Sequence, residues 1–161
     1  MLNDAEVAHL RWAIALARTA RHHGNHPFGA ILVASDGHVL VEAENSVVTS
    51  ADCTSHAELN LVRLASTQYD QETLAGSTLF TSTEPCAMCA GAIYWSGIRR
   101  VVYALSEERL YALAGAVRAN EAMRLPCRNV FASCGRTIVV DGPSLDPEAE
   151  EVHIGYWQPG A

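Results

Sequence analysis

The sequence predicts an α/β fold in which a mixed sheet carries helices on its faces. Three observations lead there. Short β-rich apolar runs alternate with helical stretches, the first two runs are joined directly by a tight turn, and Gly or Pro punctuates the boundaries. In order, residues 4 to about 22 carry Val7, Leu10, Ile14 and Leu16 with Ala-rich filling, an amphipathic helical pattern that Asn3 or Asp4 caps. His22, His23, Gly24 and Pro27 end that helix in a loop. Runs at 30–33 and 39–41 flank Ser35, Asp36 and Gly37 and read as a hairpin. A polar stretch leads to a helix at about 55–66, a strand at 78–81, a helix at 86 to about 96 ended by Gly97, and a strand at 100–103. Beyond Ser106 the pattern predicts a helix over 110–123, a short strand near 129–131 and a strand at 137–140. The last stretch, about 142–161, reads as a loop-like C-terminal tail with an apolar patch.

At 161 residues and 49% hydrophobic content the chain suits one domain, 1–161, with a core of its own. The net charge is −7, which disfavours a partner made of phosphates and leaves nucleic acid an unexpected ligand. All eleven basic residues are Arg, so Schiff-base chemistry and a phosphate-loop lysine are excluded. No apolar run reaches transmembrane length, and the acidic N-terminus lacks a signal pattern. The expectation is a soluble cytoplasmic protein, in which five cysteines point to metal or catalysis more than to disulfides.

Cysteine spacing carries the chemistry. His56, Ala57 and Glu58 open one helix, and Pro85, Cys86, Ala87, Met88 and Cys89 open the next. H-x-E followed by P-C-x-x-C is the signature of zinc deaminases. Cys86 and Cys89, three apart on a first helical turn, aim both sulfurs at one point, and the helix N-terminus favours the thiolate that Zn2+ requires. With His56 they make three protein ligands, which leaves a fourth position for water, as in catalytic zinc sites. Glu58 follows His56 by two; it is placed to move a proton from that water to a ring nitrogen and then to departing ammonia. A structural zinc knuckle would need a fourth ligand at matched spacing, and Cys127 and Cys134 pair with nothing obvious. A redox dithiol would leave His56 and Glu58 unexplained.

The segments PFGAILV (27–33), Glu44 with Asn45, SHAELNLVR (55–63) and TEPCAMCAGAIYWSGIRRVVYA (83–104) resemble the cytidine-deaminase-like zinc hydrolases, over about residues 5 to 105. Within them the chain is most similar to the guanine deaminase branch, with the tRNA adenosine deaminases next. The resemblance implies a three-layer αβα sandwich around a mixed five-stranded sheet, usually a homodimer or larger. It implies that Asn45 hydrogen-bonds the substrate ring and that Phe28, Ala57 and Trp95 belong to the base pocket. Asn45 also suits a simple turn role, and Phe28 and Trp95 suit ordinary packing. The substrate implied is a free nucleobase or related amino-heterocycle: a guanine-like purine, a modified base or an amino-triazine. The alternatives are a tRNA adenosine deaminase, a cytosine- or cytidine-type deaminase, and a non-catalytic zinc scaffold.

The acidic tail, with Asp146, Glu148, Glu150 and Glu151 and no basic residue after Arg136, argues against tRNA. One departure from the branch stands out. An ungapped register puts Val117 where an acidic residue contacts the purine amine, and Glu107, Glu108 and Glu121 read better as a solvated helix face. In the resembled branch an aromatic C-terminus closes over the pocket, a role open to Tyr156 and Trp157, as is plain dimer packing. His22, His23 and His26 read as exposed loop histidines, and Cys53 as a small buried residue.

Overall fold

The computed structural model describes residues 1–115 and 122–157. Helix α1 (Asp4–His22) precedes the hairpin of β1 (Gly29–Val33) and β2 (Val39–Glu44). Then come α2 (Val47–Ser50), α3 (Ala57–Gln68), α4 (Gln71–Gly76), β3 (Thr78–Thr83), α5 (Ala87–Ser96) and β4 (Arg100–Leu105). Helices α6 (Glu107–Ala114) and α7 (Cys127–Ala132), β5 (Val139–Asp141) and α8 (Asp146–Glu151) complete the described residues. The sheet order is β2-β1-β3-β4-β5, antiparallel at β2/β1 and β1/β3 and parallel at β3/β4 and β4/β5. It is the expected mixed five-stranded sheet.

Strand alternation builds the two outer layers. Ala30 and Leu32 of β1, Leu79 of β3, and Val101 and Tyr103 of β4 pack with Leu61 and Ala65 of α3, Ile93 of α5 and Phe131 of α7. Ile31 and Val33, Phe80, and Val102 and Ala104 face the other way, against Leu10, Ile14 and Ala17 of α1 and Ala149 of α8. All five residues of β1 are buried, as a strand covered on both faces requires. The result is a three-layer αβα sandwich.

Local chemistry sets the element ends. Asn3 accepts the Glu6 N–H through its side chain, and the Glu6 carboxylate accepts the Asn3 N–H, a reciprocal cap for α1. Arg100 then donates to Glu6 at 2.5 Å and to Asp141 at 2.9 Å, tying the start of α1 to β4 and β5. Gly29 lies against α1 so closely that a Cβ there would sit 2.5 Å from the Ala13 carbonyl oxygen and 2.6 Å from the Ala17 nitrogen.

Three expectations are corrected. Residues 129–131 lie in α7 and form no strand: Cys127, Val130 and Phe131 are spaced for a helix face, and a short apolar run does not distinguish the two periods. The tail contains α8, whose Ala149 and the following Val152 bury against α1 and the sheet, so tertiary contact supplies what its acidic sequence hides. Helix α6 starts at Glu107, before the expected 110, because Ser106 accepts the Arg109 N–H as N-cap. The short helices α2 and α4 were not expected at all, being too brief to show a period. Val117 and Glu121 lie outside the described residues. Among the described residues, no helix is long and apolar enough to cross a membrane.

The stretch after α8 is held by two groups. Arg21 of α1 donates to the carbonyls of Val152 and Ile154, both at 2.8 Å, and His153 Nδ1 accepts the Trp157 indole N–H at 3.2 Å. His153 is 2% exposed; burial, with the Arg21 charge adding to it, lowers its pKa from 6.5 to about 4.

Two outcomes follow from this packing. Gly29→Ala should destabilise the fold by about 1–3 kcal/mol in urea denaturation, since backbone and not a flexible side chain must yield. Between pH 6.5 and 4 the unfolded chain protonates residue 153 while the folded chain resists, so stability should fall as pH drops through that window. The loss is on the order of 3 kcal/mol, and denaturation of His153→Gln across the same range should lack that share.

Candidate active site

The carboxyl ends of β2, β3 and β4 lie on one edge of the sheet, because β1 runs against both β2 and β3, and β3 and β4 are parallel. That edge receives the N-termini of α2, α3, α5 and α6, the place where open α/β sheets bind ligands. His56 is the N-cap of α3 and Cys86 the N-cap of α5, both in extended backbone, one step earlier than the helical positions expected. Cys89 sits in the first turn of α5.

His56 Nδ1 lies 3.6 Å from Cys86 Sγ and 3.6 Å from Cys89 Sγ, and the three donor atoms fall within 4.8 Å of one another. A tetrahedral Zn2+, about 2.3 Å from sulfur and about 2.0–2.1 Å from nitrogen, places such atoms roughly 3.6 Å apart. The donors therefore fit zinc, with His56 ligating through Nδ1, and they form a candidate zinc site. The electrostatics agree. Cys86 falls from the usual thiol value to about 4, first through the Cys89 thiol that hydrogen-bonds to it, with His56 adding to the effect. Cys89, donating that proton and fully buried, rises well above the thiol range. His56 is raised by its hydrogen bond with Cys86.

Glu58 is the second residue of α3 and is 5% exposed. Its Oε1 accepts from Thr81 Oγ1 of β3 at 3.0 Å, and burial pushes its carboxyl upward, with the Cys86 charge contributing. Both groups open onto a cavity of about 440 Å³ whose wall includes His26, Phe28, Val47, Cys53, Glu107, Leu110, Tyr111 and Trp157. Among the described residues its lining includes no Arg.

The other expected site residues divide. Phe28 lines the cavity, and its ring meets those of His153 and Trp157 at 5.5 and 6.1 Å. Asn45 is fully buried beside the edge; its Oδ1 accepts the Val47 N–H, the turn role, while its Nδ2 has no partner. Ala57 packs into the core under α3 rather than into the cavity wall. Trp95 stands outside this chain's cavity: helical spacing turns it away from Ala90 and Ile93, and it is 82% exposed, edge-on to Tyr94.

Trp157 does reach the cavity, and His26 with it, their rings 5.8 Å apart. His23 instead meets Glu44 at 2.6 Å, and among the described residues no metal-binding group forms around the loop histidines. Cys53 is exposed at the cavity and is not part of the donor triad. Glu107 corrects the expectation of a solvated face, since it is 5% exposed and in the wall.

Glu84 escaped the sequence reading. Its Oε2 accepts the Glu107 N–H and its Oε1 the Cys127 N–H, each at 3.1 Å, so one buried carboxylate holds the starts of α6 and α7. Only its place just before Pro85 and Cys86 hinted at a role.

A three-donor zinc site with a buried glutamate, set at the carboxyl edge of an αβα sandwich, defines a zinc hydrolase centre. Residues 4–105 match the family model of the cytidine and deoxycytidylate deaminase zinc-binding region, and the chain belongs to that family. It is 41% identical to a probable cytosine deaminase of Schizosaccharomyces pombe over 99% of this chain and 96% of that protein. A tRNA-specific adenosine deaminase of Agrobacterium fabrum is 37% identical over 71% of this chain and 75% of its own. The solved guanine deaminase of Nitrosomonas europaea superposes with a TM-score of 0.78 at 25% identity, covering 97% of this chain and 85% of that one.

Cys89→Ser should lower bound zinc below one-tenth equivalent per chain by metal analysis after dialysis, while Cys53→Ser leaves it unchanged.

Proposed function

We propose that the protein hydrolytically deaminates a free nucleobase or a closely related amino-heterocycle, releasing ammonia. The observation that carries this reading is the buried Glu58 beside the zinc donors at a cavity walled by Phe28, Leu110 and Trp157. Flat apolar walls suit one aromatic ring, and the described lining holds no Arg to meet a phosphate. Cytosine and guanine are the first candidates, the former favoured by the full-length likeness to the probable cytosine deaminase. The tRNA reading has the Agrobacterium relative in its favour and the net charge of −7 against it.

His56, Cys86 and Cys89 would hold the ion, which supplies the Lewis acidity that makes water a nucleophile near neutral pH. Glu58 takes a proton from the attacking water as its oxygen adds to the ring carbon bearing the amine. It passes that proton to the adjacent ring nitrogen, then carries a second to the amine as the C–N bond breaks and ammonia leaves. Its upward-shifted carboxyl suits both directions of transfer, and Thr81 fixes its orientation. Phe28 and Trp157 flank the ring, and the unpartnered Nδ2 of Asn45 is a donor for a ring carbonyl. Trp95 belongs to this reading through a homodimer that would cover its exposed ring.

Ammonia release should be measured with zinc-loaded protein on cytosine, guanine, adenine, their nucleosides and amino-triazines. Turnover of a free base is expected, with Glu58→Gln slower by at least about 10²–10⁴-fold at unchanged zinc content. Silence on every small molecule, with deamination of tRNA that weakens steeply as salt rises, would overturn the reading.

A further inference from the structure

Glu107 and Thr83 are among the polar groups in the cavity wall that the zinc donors and Glu58 leave without a part in that chemistry. Glu107, the first residue of α6, is 5% exposed and has no ion pair among the described residues. Its Oε1 accepts from the Tyr111 hydroxyl at 3.3 Å, and its backbone N–H is anchored by Glu84 at 3.1 Å. Thr83, 3% exposed and next to Glu84, keeps its Oγ1 buried with no hydrogen-bond partner. Glu84 spends both carboxylate oxygens on backbone N–H groups and so positions the wall. A buried carboxyl and a buried unpaired hydroxyl lining an apolar slot are costly unless something in the slot completes them.

We propose that Glu107, aided by the Thr83 hydroxyl, selects the substrate by accepting the unsubstituted ring N–H of a free base, a donor that the nucleoside or N-alkylated base lacks. This rests on the free-base reading above. Cytosine presents N1–H beside its C=O, and guanine presents N9–H; each is the ring N–H that the nucleoside lacks. An oxygen of Glu107 takes that N–H, and with cytosine the Thr83 hydroxyl is free to donate to the carbonyl. The groups facing Glu107 are Tyr111 on its own helix, Glu84 and Cys86 from the connection between β3 and α5, and the Leu125 amide. Burial first, then the charges of Glu84 and Cys86, raise its carboxyl to about 7, and either protonation state keeps an oxygen that accepts N–H. Replacing that hydrogen by carbon deletes the donor and sets a substituent against a buried carboxyl. Sites built on a buried polar partner reject the analogue lacking it far better than apolar pockets do.

The test is steady-state kinetics of wild type, Glu107→Ala, Glu107→Gln and Thr83→Val on cytosine, 1-methylcytosine, cytidine, guanine and 9-methylguanine. Zinc content and thermal melting are checked for each variant. Wild type should prefer each free base over its N-substituted form. Glu107→Ala should raise KM for the free base about ten- to a hundredfold with kcat within a few fold, collapsing that preference. Glu107→Gln, which keeps an acceptor oxygen, should retain part of it, whereas Thr83→Val should raise KM for cytosine and its N-substituted forms alike, because all of them keep the carbonyl. Wild-type turnover with the preference intact in a folded, zinc-replete Glu107→Ala overturns the role of Glu107 alone, as does an equal fall in kcat on all five. No wild-type turnover of any of them overturns the free-base reading and this inference together.

Discussion

The convergence of two helix N-termini on one edge of the sheet is the constraint on which the site depends. His56 and Cys86 cap α3 and α5, so each donor sits where unsatisfied backbone N–H groups concentrate partial positive charge. That charge favours thiolate at Cys86, and the packing of both helices on the same face of the sheet brings His56 within 3.6 Å of both sulfurs. The parallel β3/β4 pair is what makes the geometry possible. A parallel connection must cross over a face, so α5 starts at the carboxyl end of β3 and returns along the sheet.

The same edge collects the rest of the cavity from distant parts of the chain. Phe28 arrives just before β1, Asn45 just after β2, and Glu84 and Glu107 just after β3 and β4. Glu84 converts this proximity into fixed geometry, because one carboxylate accepts N–H groups from residues 107 and 127. The acidic groups crowd without a compensating Arg among the described residues. Burial therefore dominates their behaviour, and the carboxyls of Glu58 and Glu107 hold protons more readily than exposed ones.

Trp157 illustrates how the far end of the chain joins the site. Arg21 fixes the carbonyls that follow α8, and His153, buried and neutral, receives the indole N–H. The ring then lies in the cavity wall beside Phe28 and His26. The acidic character of 146–151 belongs to the outer surface of α8, where Glu148 and Glu150 pair with Arg11 and Arg109. These exposed pairs add little stability, and the anchoring comes from Ala149 and Val152 underneath.

The sequence by itself determined the candidate zinc donors, the glutamate beside them and most of the sheet. Metal chemistry confines Cys86, Cys89 and His56 to a short-range pattern, and α1 and β1 to β4 carry periods long enough to read. It did not determine α7, α8 or the fate of Glu107, because acidic or brief segments look alike whether buried or solvated. Trp95 lies in a segment that matches a pocket, while helical phase turns its ring outward from this chain. Burial of a carboxyl, the pairing of Glu84 with two distant backbone amides, and the arrival of Trp157 are long-range contacts. Only the tertiary structure decides them, since no local period encodes which residues 20 to 140 positions apart will meet.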